Sequence, residues 1–549
     1  MNLLLAAILA AAPIRVDQVG YPADAPKIAI VTADLGDTFV VLRGDTTILE
    51  GKQSEPRIDE DSGDRVRHAD FSSVTEPGRY ELRAGDHRAA ITIAEEPYRD
   101  ILRLTMRAFY GQRCGTAVDL GGGYAHPACH LKSAYHPSSG RSGPRAAPGG
   151  WHDAGDYGRY VVSSAIAVGT LLWAWELFPG ALRDLDLAIP ESGDATPDVL
   201  DEVRWNLEWM LSMQDEDGGV WHKETSLEFP PFVEPHEDEA PLFVIGRSSC
   251  ATADLAAVAA IAARAYRPFD ETLAQRSVVA ARRAWAWLDE HPNVTFRNPE
   301  GVLTGEYGDA DCGDERLWAA AELSRTTGDR EFQRYFLARA ARAVDEVGEA
   351  SPPSWNDVGP LAAWAYALSA PGDEADESIR RKSREAAARI SARIRAHPYA
   401  VPHTGDDWVW GSNAVAANYA LQLLVADALD PDARYRAAAL EVLHYLLGRN
   451  PFGTSFVTGA GERPVRHPHH RPSGADDVDA PWPGLLVAGP NRDRQDTVLR
   501  ALPRGTPMRT YADDQESYAS NEVAINWNAP LVFVLAGLAP SSGTPRPKG

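Results

Sequence analysis

Positive charge is scarce in this chain. Its 549 residues carry 54 Lys and Arg against 78 Asp and Glu, a net charge of −24 at pH 7. Such a chain repels phosphate backbones and anionic lipid, so nucleic acid and membrane surfaces are excluded as partners, whereas neutral polysaccharide is not. Cysteine is equally sparse. Cys114, Cys129, Cys250 and Cys312 are the whole complement, too few at this length for a disulfide-built scaffold. After the first dozen residues no apolar run reaches the roughly 18 residues of a membrane span. Those first residues, MNLLLAAILAAA, lack a basic start but are apolar and end in small side chains. They read as a secretory signal over 1–12, which implies a secreted or periplasmic protein; a buried N-terminal strand is the alternative. No Ser/Thr-Pro linker or binding module is visible after residue 540, and 541–549 reads as a disordered tail.

What is present supports one large domain and a smaller one, with 44% hydrophobic residues. The 15 Trp and 18 Tyr are flat amphipathic rings that suit sugar faces as well as cores. Residues 13–95 alternate polar and apolar in short runs (27–32, 38–43, 46–49, 78–83, 88–93) punctuated by Gly, Asp and Pro. That pattern predicts a small antiparallel β-sandwich. At Pro97 the period changes from two to 3.6. Twelve helices are expected over 97–540, near 99–112, 160–178, 198–214, 250–267, 272–290, 314–327, 330–346, 357–369, 376–396, 411–428, 431–447 and 521–537. Ala-rich faces such as 253–265 let helices approach closely. Six helical hairpins close most economically into an all-α (α/α)6 barrel with function in the loops at one end. An open solenoid would need a fixed period, which the sequence does not have.

Three loop segments concentrate chemistry. In G-G-W-H-D-A-G-D-Y-G-R-Y-V (149–161), Asp153 and Asp156 are three apart in a Gly-containing loop. Two carboxylates can share one water, one taking its proton while the other orients it, as inverting glycosidic cleavage requires. Helix N-capping is the competing reading. In 455–471, rich in His and Arg, His469 and Arg471 can donate to sugar hydroxyls or to the carboxylates; a metal site or a solvated loop competes. In 511–529, Glu522 lies at the start of an apolar helix and Asp513 lies nine residues upstream. A general acid needs the raised pKa that burial or a neighbouring carboxylate supplies. Capping by Glu522 would work against that, because a helix N-terminus lowers it. Further upstream, Cys114, Cys129, His130 and His152 form a C-x14-C-H-x21-H set suited to tetrahedral zinc, against a Cys114–Cys129 disulfide or free thiols. His126 and His136 are neighbours easily confused with His130.

These segments together resemble glycoside hydrolase family 9, from about residue 98 to 538, with W-G-S-N (410–413) and G-L-L-V-A-G-P-N (484–491) also similar. The resemblance implies Asp156 as base, Asp153 as the Asp that helps hold the water and Glu522 as proton donor. It also implies functional positions for His469, Arg471 and Asp513. V-D-Q-V-G-Y (16–21) resembles the opening of the immunoglobulin-like module that precedes many such catalytic domains, with Asp17 in place of the usual Asn. Members with that module carry a structural zinc, which the resemblance assigns to Cys114, Cys129, His130 and His152. T-G-E-Y-G-D-A-D-C-G-D-E (304–315) resembles a calcium loop of the same subgroup. Thr304, the Glu306 carbonyl and Asp309 match its ligands, and Ala310 replaces an expected acid; a solvated acidic turn is the alternative.

The expectation is therefore a multidomain, monomeric, endo-acting inverting β-1,4-glucanase of the cellulase type, with carboxyl groups about 6.5–9.5 Å apart. Exo-acting hydrolysis of short glucose or glucosamine oligomers is the alternative of the same class. A non-catalytic carbohydrate-binding protein is the alternative of another, opposed by the presence of Asp153, Asp156 and Glu522. Trp221, His222, Trp355, Trp408, Trp410 and Tyr518 are candidate sugar platforms beside the motifs, each also readable as core.

Overall fold

In the computed structural model, residues 12–147 and 149–540 are described; the expected signal, apart from Ala12, and the expected tail lie outside them. The N-terminal strands form two sheets. One pairs Ile14–Arg15, Ile28–Thr32, Arg65–Asp70 and Arg57–Ile58 in that order. The other pairs Tyr21–Pro22, His87–Ala94, Gly78–Ala84, Thr38–Arg43 and Thr46–Lys52. Alternation sends Phe39, Val41, Tyr80, Leu82, Ile91 and Ile93 inward to a core of their own. Strand Arg65–Asp70 escapes the sequence pattern, because R-V-R-H-A-D buries only Val66 and Ala69. These two serve different cores: Ala69 faces the sandwich, whereas Val66, with Ile30, joins the core of the helical domain. The contact between the domains is also polar. Buried Asp17 accepts His444 Nδ1 at 2.8 Å, and Asp64 accepts Arg509 twice at 2.7 Å.

Twelve principal helices follow: α1 Arg99–Gly111, α2 Val161–Leu177, α3 Asp198–Ser212, α4 Ser249–Tyr266, α5 Glu271–Glu290, α6 Gly313–Thr327, α7 Ala340–Glu349, α8 Gly359–Leu368, α9 Glu374–Ala396, α10 Ser412–Leu429, α11 Ala433–Leu446 and α12 Ile525–Leu538. The helix expected over 330–346 is two, because Arg330–Leu337 is separate from α7. The even-numbered helices touch in sequence, α2 to α4, α6, α8, α10 and α12, and α12 returns to α2. Apart from α6, which buries Asp314, Glu315, Arg316 and Glu322, they are apolar or small on nearly every face and buried accordingly. The odd-numbered helices lie against them; α5, for example, buries Leu273, Ala281, Ala284 and Leu288 and leaves its charged face to water. Gly169 of α2 makes room inside the ring: a Cβ there would stand 2.8 Å from the Trp318 ring.

One element is invisible in the sequence pattern. Pro144–Ala146, Lys132–Tyr135, Leu242–Arg247, Trp221–Thr225 and Arg159–Tyr160 form a five-stranded sheet in that order. Its strands are short and largely polar; all five residues of W-H-K-E-T are buried. No alternation can be read where both faces are covered. Among the described residues no helix is long and apolar enough to cross a membrane.

Candidate active site

The 149–158 loop enters between that sheet and the ring of helices. Trp151 anchors it, giving its ring N–H to Glu202 at 2.8 Å and its backbone N–H to Asn206 at 3.1 Å. Asp153 and Asp156 are both buried. Neither caps a helix, because the residue at the N-cap of α2 is Tyr160. Asp153 Oδ2 accepts the Tyr307 hydroxyl at 2.7 Å, while its buried Oδ1 makes no close hydrogen bond, the nearby Ser163 hydroxyl acting only to lower the Asp153 pKa. Asp156 Oδ2 accepts the Gly158 N–H at 2.9 Å. Two glycines permit this packing. A Cβ on Gly158 would lie 2.8 Å from Asp156 Oδ2, and one on Gly155 only 2.1 Å from the His469 carbonyl oxygen.

The other two segments close on this loop. His469 donates its N–H to Asn521 O at 2.8 Å and pairs with Glu522 in a parallel bridge. Arg471 gives its backbone N–H to Gly155 O at 3.0 Å and its guanidinium to the same oxygen at 2.8 Å. Asp153 O accepts the Ile525 N–H at 2.8 Å. Residues more than 300 positions apart thus share one laced cluster.

Glu522 is not at a helix start, contrary to the sequence expectation. It sits in an extended break (φ −69°, ψ 160°) after the short helix Tyr518–Asn521, and Ala524 precedes α12. The opposing field of a helix N-terminus therefore falls away. Burial, then the nearby Asp156 and Asp153, hold the Glu522 carboxyl well above its usual range, with Arg471 pulling the other way. Burial raises Asp156 as well, against Arg471 and Lys223. Asp153 is pushed up to about 7 by burial and by Asp156. Mutual repulsion among the three keeps at least one of these carboxyls protonated.

His469 gives one ring N–H to Gln515 O at 2.7 Å and lies edge-on to Phe232; burial lowers its pKa to about 4, so it is neutral. Asp513 does not touch the other carboxylates. It accepts the N–H groups of Arg466 and His467, both at 2.8 Å, and Asn521 Nδ2 at 3.1 Å, clasping the histidine loop to the residue before Glu522.

Cys114, Cys129, His130 and His152 also come together, with ligand atoms all within 4.8 Å of one another. Cys114 and Cys129 are free thiols. Cys129 Sγ is 3.7 Å from His152 Nε2, close to the roughly 3.5 Å edge of a tetrahedron built on zinc bonds of about 2.0–2.3 Å. His130 gives Nε2 to Asp238 at 3.2 Å, and its buried Nδ1 is unpartnered. The donor chemistry fits zinc. His126 stacks on Trp482 and His136 bonds Ser138, so neither joins the set. The other two cysteines form a disulfide, Cys250–Cys312, between the starts of α4 and α6, which their separation of 62 residues concealed.

The groups expected to ligate calcium have protein partners. Thr304 Oγ1 is saturated by Lys223 Nζ at 3.0 Å, Thr225 Oγ1 at 2.9 Å and Ser226 O at 3.3 Å. The Glu306 carbonyl accepts His222 Nε2 at 3.0 Å, and Asp309 Oδ1 caps the Asp311 N–H at 3.0 Å. Protein donors occupy these groups, and the Lys223 ammonium reaches Thr304 alone among them.

Three aromatic expectations are also corrected. Trp221 is buried with its ring N–H on Ser139 O at 3.0 Å. Trp408 is buried and stacked on His403, and His222 is buried and stacked on Phe296. Sugar reaches none of them. Trp410 and Tyr518 are 40% and 36% exposed and form one pair, 5.3 Å between ring centroids. Trp355 packs edge-on against Tyr307. Sequence reasoning missed Tyr307, Tyr160, Phe232 and Lys223; Tyr307 lay in plain view in T-G-E-Y-G. A cavity of about 850 Å³ lies between the domains beside Tyr98 and Leu538, away from these carboxylates.

Comparison with known proteins follows the same division. A family model described as "Glycosyl hydrolase family 9" matches residues 98–535, and "Cellulase N-terminal ig-like domain" matches residues 10–89. Endoglucanase D of Acetivibrio thermocellus is 36% identical over 95% of this chain and 83% of its own length. A crystal structure of a single mutant of the thermostable endoglucanase from Alicyclobacillus acidocaldarius superposes with TM-score 0.88 at 38% identity, covering 96% of this chain and 99% of that one. A zinc-binding triple mutant of the family 9 endoglucanase J30 does so with TM-score 0.90 at 36% identity, covering 95% and 100%.

Proposed function

The chain belongs to glycosyl hydrolase family 9, and from that premise we propose that it cleaves β-1,4-glucosidic bonds within a β-glucan chain, with inversion. The observation that carries this reading is the lacing of the 149–158 loop to Glu522 through Gly155, His469 and Ile525, which gathers three carboxyls in one buried field. Asp156 is the general base. Asp153, steadied by Tyr307 on one oxygen, offers its free oxygen to the same water. Glu522, kept protonated by burial and by the two aspartates, gives its proton to the departing sugar oxygen. His469 and Arg471 frame the acid side of the cleft, and Asp513 holds their loop. Trp410, Tyr518 and Trp355 are the rings left for stacking on sugars. Relatives named endoglucanases support attack within the chain rather than at its end.

The same reading assigns 13–95 to an immunoglobulin-like sandwich and 97–540 to an (α/α)6 barrel, the ring of even-numbered helices being its inner layer. Cys114, Cys129, His130 and His152 would hold a structural zinc, which would supply a cross-link rather than chemistry at the bond cleaved. His152 adjoins Asp153, so the metal steadies the base loop from behind. The disulfide and the apolar start of the chain support export to an oxidising compartment.

Proton NMR of freshly cleaved cellopentaose tests the reading. The α-anomer should appear first, in mixed short products. Asp156→Ala and Glu522→Gln should each lose several orders of magnitude in kcat while keeping the wild-type melting temperature. An initial β-anomer, or near wild-type turnover by either variant, refutes it.

A further inference from the structure

Strand Trp221–Thr225 is buried along its whole length yet carries three ionisable side chains. Glu224 has an evident partner, because Arg159 lies 3.1 Å from it. Lys223 has none: among the described residues its ammonium forms no salt bridge, and it is 0% exposed. It is instead caged by oxygens, at 2.8 Å from Asn298 Oδ1, 2.7 Å from Gly305 O, 3.0 Å from Thr304 Oγ1 and 3.3 Å from Thr304 O. Its three N–H bonds match the three shorter contacts. The adjacent His222 donates from Nε2 to Glu306 O at 3.0 Å, its ring fixed by Ser248 at 2.9 Å and by stacking on Phe296. Two neighbouring side chains therefore hold the Thr304 hydroxyl and the carbonyls of 305 and 306, and Asn298 Nδ2 takes the Thr304 carbonyl at 2.7 Å.

The residue that follows is Tyr307, with φ at 46°. The left-handed region is sparsely populated by aromatic residues, and such strain persists only where the surroundings over-determine it. Here the strain serves a contact, because the Tyr307 hydroxyl donates to Asp153 Oδ2 at 2.7 Å and leaves Oδ1 buried without a close hydrogen bond. Trp355 and Tyr160 flank the ring.

We propose that Lys223, assisted by His222, is a positioning residue for catalysis: by caging the backbone of 304–306 it holds strained Tyr307 on Asp153 and so aims the free Asp153 oxygen at the hydrolytic water. The inference rests on the reading of Asp153 as a water-holding group. A point charge on a flexible stem suits the cage better than the planar fork of Arg, because the acceptors surround it rather than lie in one plane. Burial lowers the Lys223 pKa to about 7, against the pull of Asp156 and Glu306; below that pH its charge also favours the ionised form of Asp156.

The test uses full-length, metal-replete enzyme on cello-oligosaccharides. Lys223→Met should lower kcat by ~10- to 100-fold, the scale of a misplaced catalytic group, with KM within about twofold. Tyr307→Phe should lower kcat by about tenfold in the same manner. The double variant should be no slower than the slower single one, because both act through one bond. Propylammonium, which replaces the deleted atoms, should restore kcat to Lys223→Ala and leave Tyr307→Phe unchanged. A Lys223→Met enzyme within threefold of wild-type kcat, multiplicative losses in the double variant, or a Tyr307→Phe enzyme with unchanged kcat overturns the proposal. The last outcome decides even where a Lys223 variant fails to fold. Asp153→Asn separates the two readings. If it retains wild-type kcat, the role of Asp153 fails; if it is inactive while Lys223→Met and Tyr307→Phe are not impaired, only the positioning role fails.

Discussion

Gly155→Ala should disable the enzyme without unfolding it. The added methyl carbon would stand 2.1 Å from His469 O and 3.1 Å from its carbonyl carbon, where contacts below 3.0 Å do not occur. The two backbones must therefore separate by about 0.9 Å, the difference between 3.0 and 2.1. Neither can move alone. His469 is bonded through its N–H to Asn521 O, the residue before Glu522, and Gly155 O carries both Arg471 donors. The displacement is thus passed to the gap between Asp156 and Glu522. Misplacing reacting groups by about 1 Å costs roughly 100-fold, equivalent to about 2.7 kcal/mol of barrier. The assay is kcat on cellopentaose, with zinc content and melting temperature measured on the same preparation. Gly405→Ala is the control, because nothing lies within 4 Å of its added carbon, and it should match wild type. A Gly155→Ala enzyme with zinc bound and kcat within threefold of wild type would refute the reasoning.

The pH profile should be bell-shaped, with both limbs displaced upward. Turnover falls as pH drops through the raised Asp156 pKa, because the base is then protonated, and falls again as pH rises through the raised Glu522 pKa, because the acid is then ionised; limbs at ordinary carboxylate values would contradict the burial argument. Metal analysis should find about one zinc per chain, and Cys129→Ser should lose it and melt earlier, since metal binding energy becomes folding energy; a metal-free wild type of full stability would exclude the site. Trp410→Ala should raise KM for long oligomers at unchanged stability, whereas Trp408→Ala should destabilise by about 3–5 kcal/mol in denaturant unfolding; equal KM effects from both would contradict the assignment of Trp408 to the core.

The chemistry-bearing segments were legible because they are local. D-A-G-D, the histidine loop and the acidic loop each carry their residue types within a short stretch, and the change of period at Pro97 marks the domain boundary without any tertiary knowledge. The inner helices were equally legible, since a helix apolar on every face has nowhere to go but inside. What the chain order concealed is whatever depends on distant partners. Cys250 pairs with Cys312 only because α4 and α6 are neighbours in the ring. Trp221 and His222 read as loop residues beside the motifs, yet folding places them in the buried strand W-H-K-E-T and turns two expected sugar contacts into supports. Thr304 and Glu306 read as ligands for a cation, and folding brings Lys223 to the first and His222 to the second from a distant strand. Glu522 read as the first residue of a helix, and only its pairing with His469 draws it into an extended break, away from the helix field and into the field of two aspartates. Sequence determines which groups are available; packing decides which are buried, what they face, and hence which of them hold a proton.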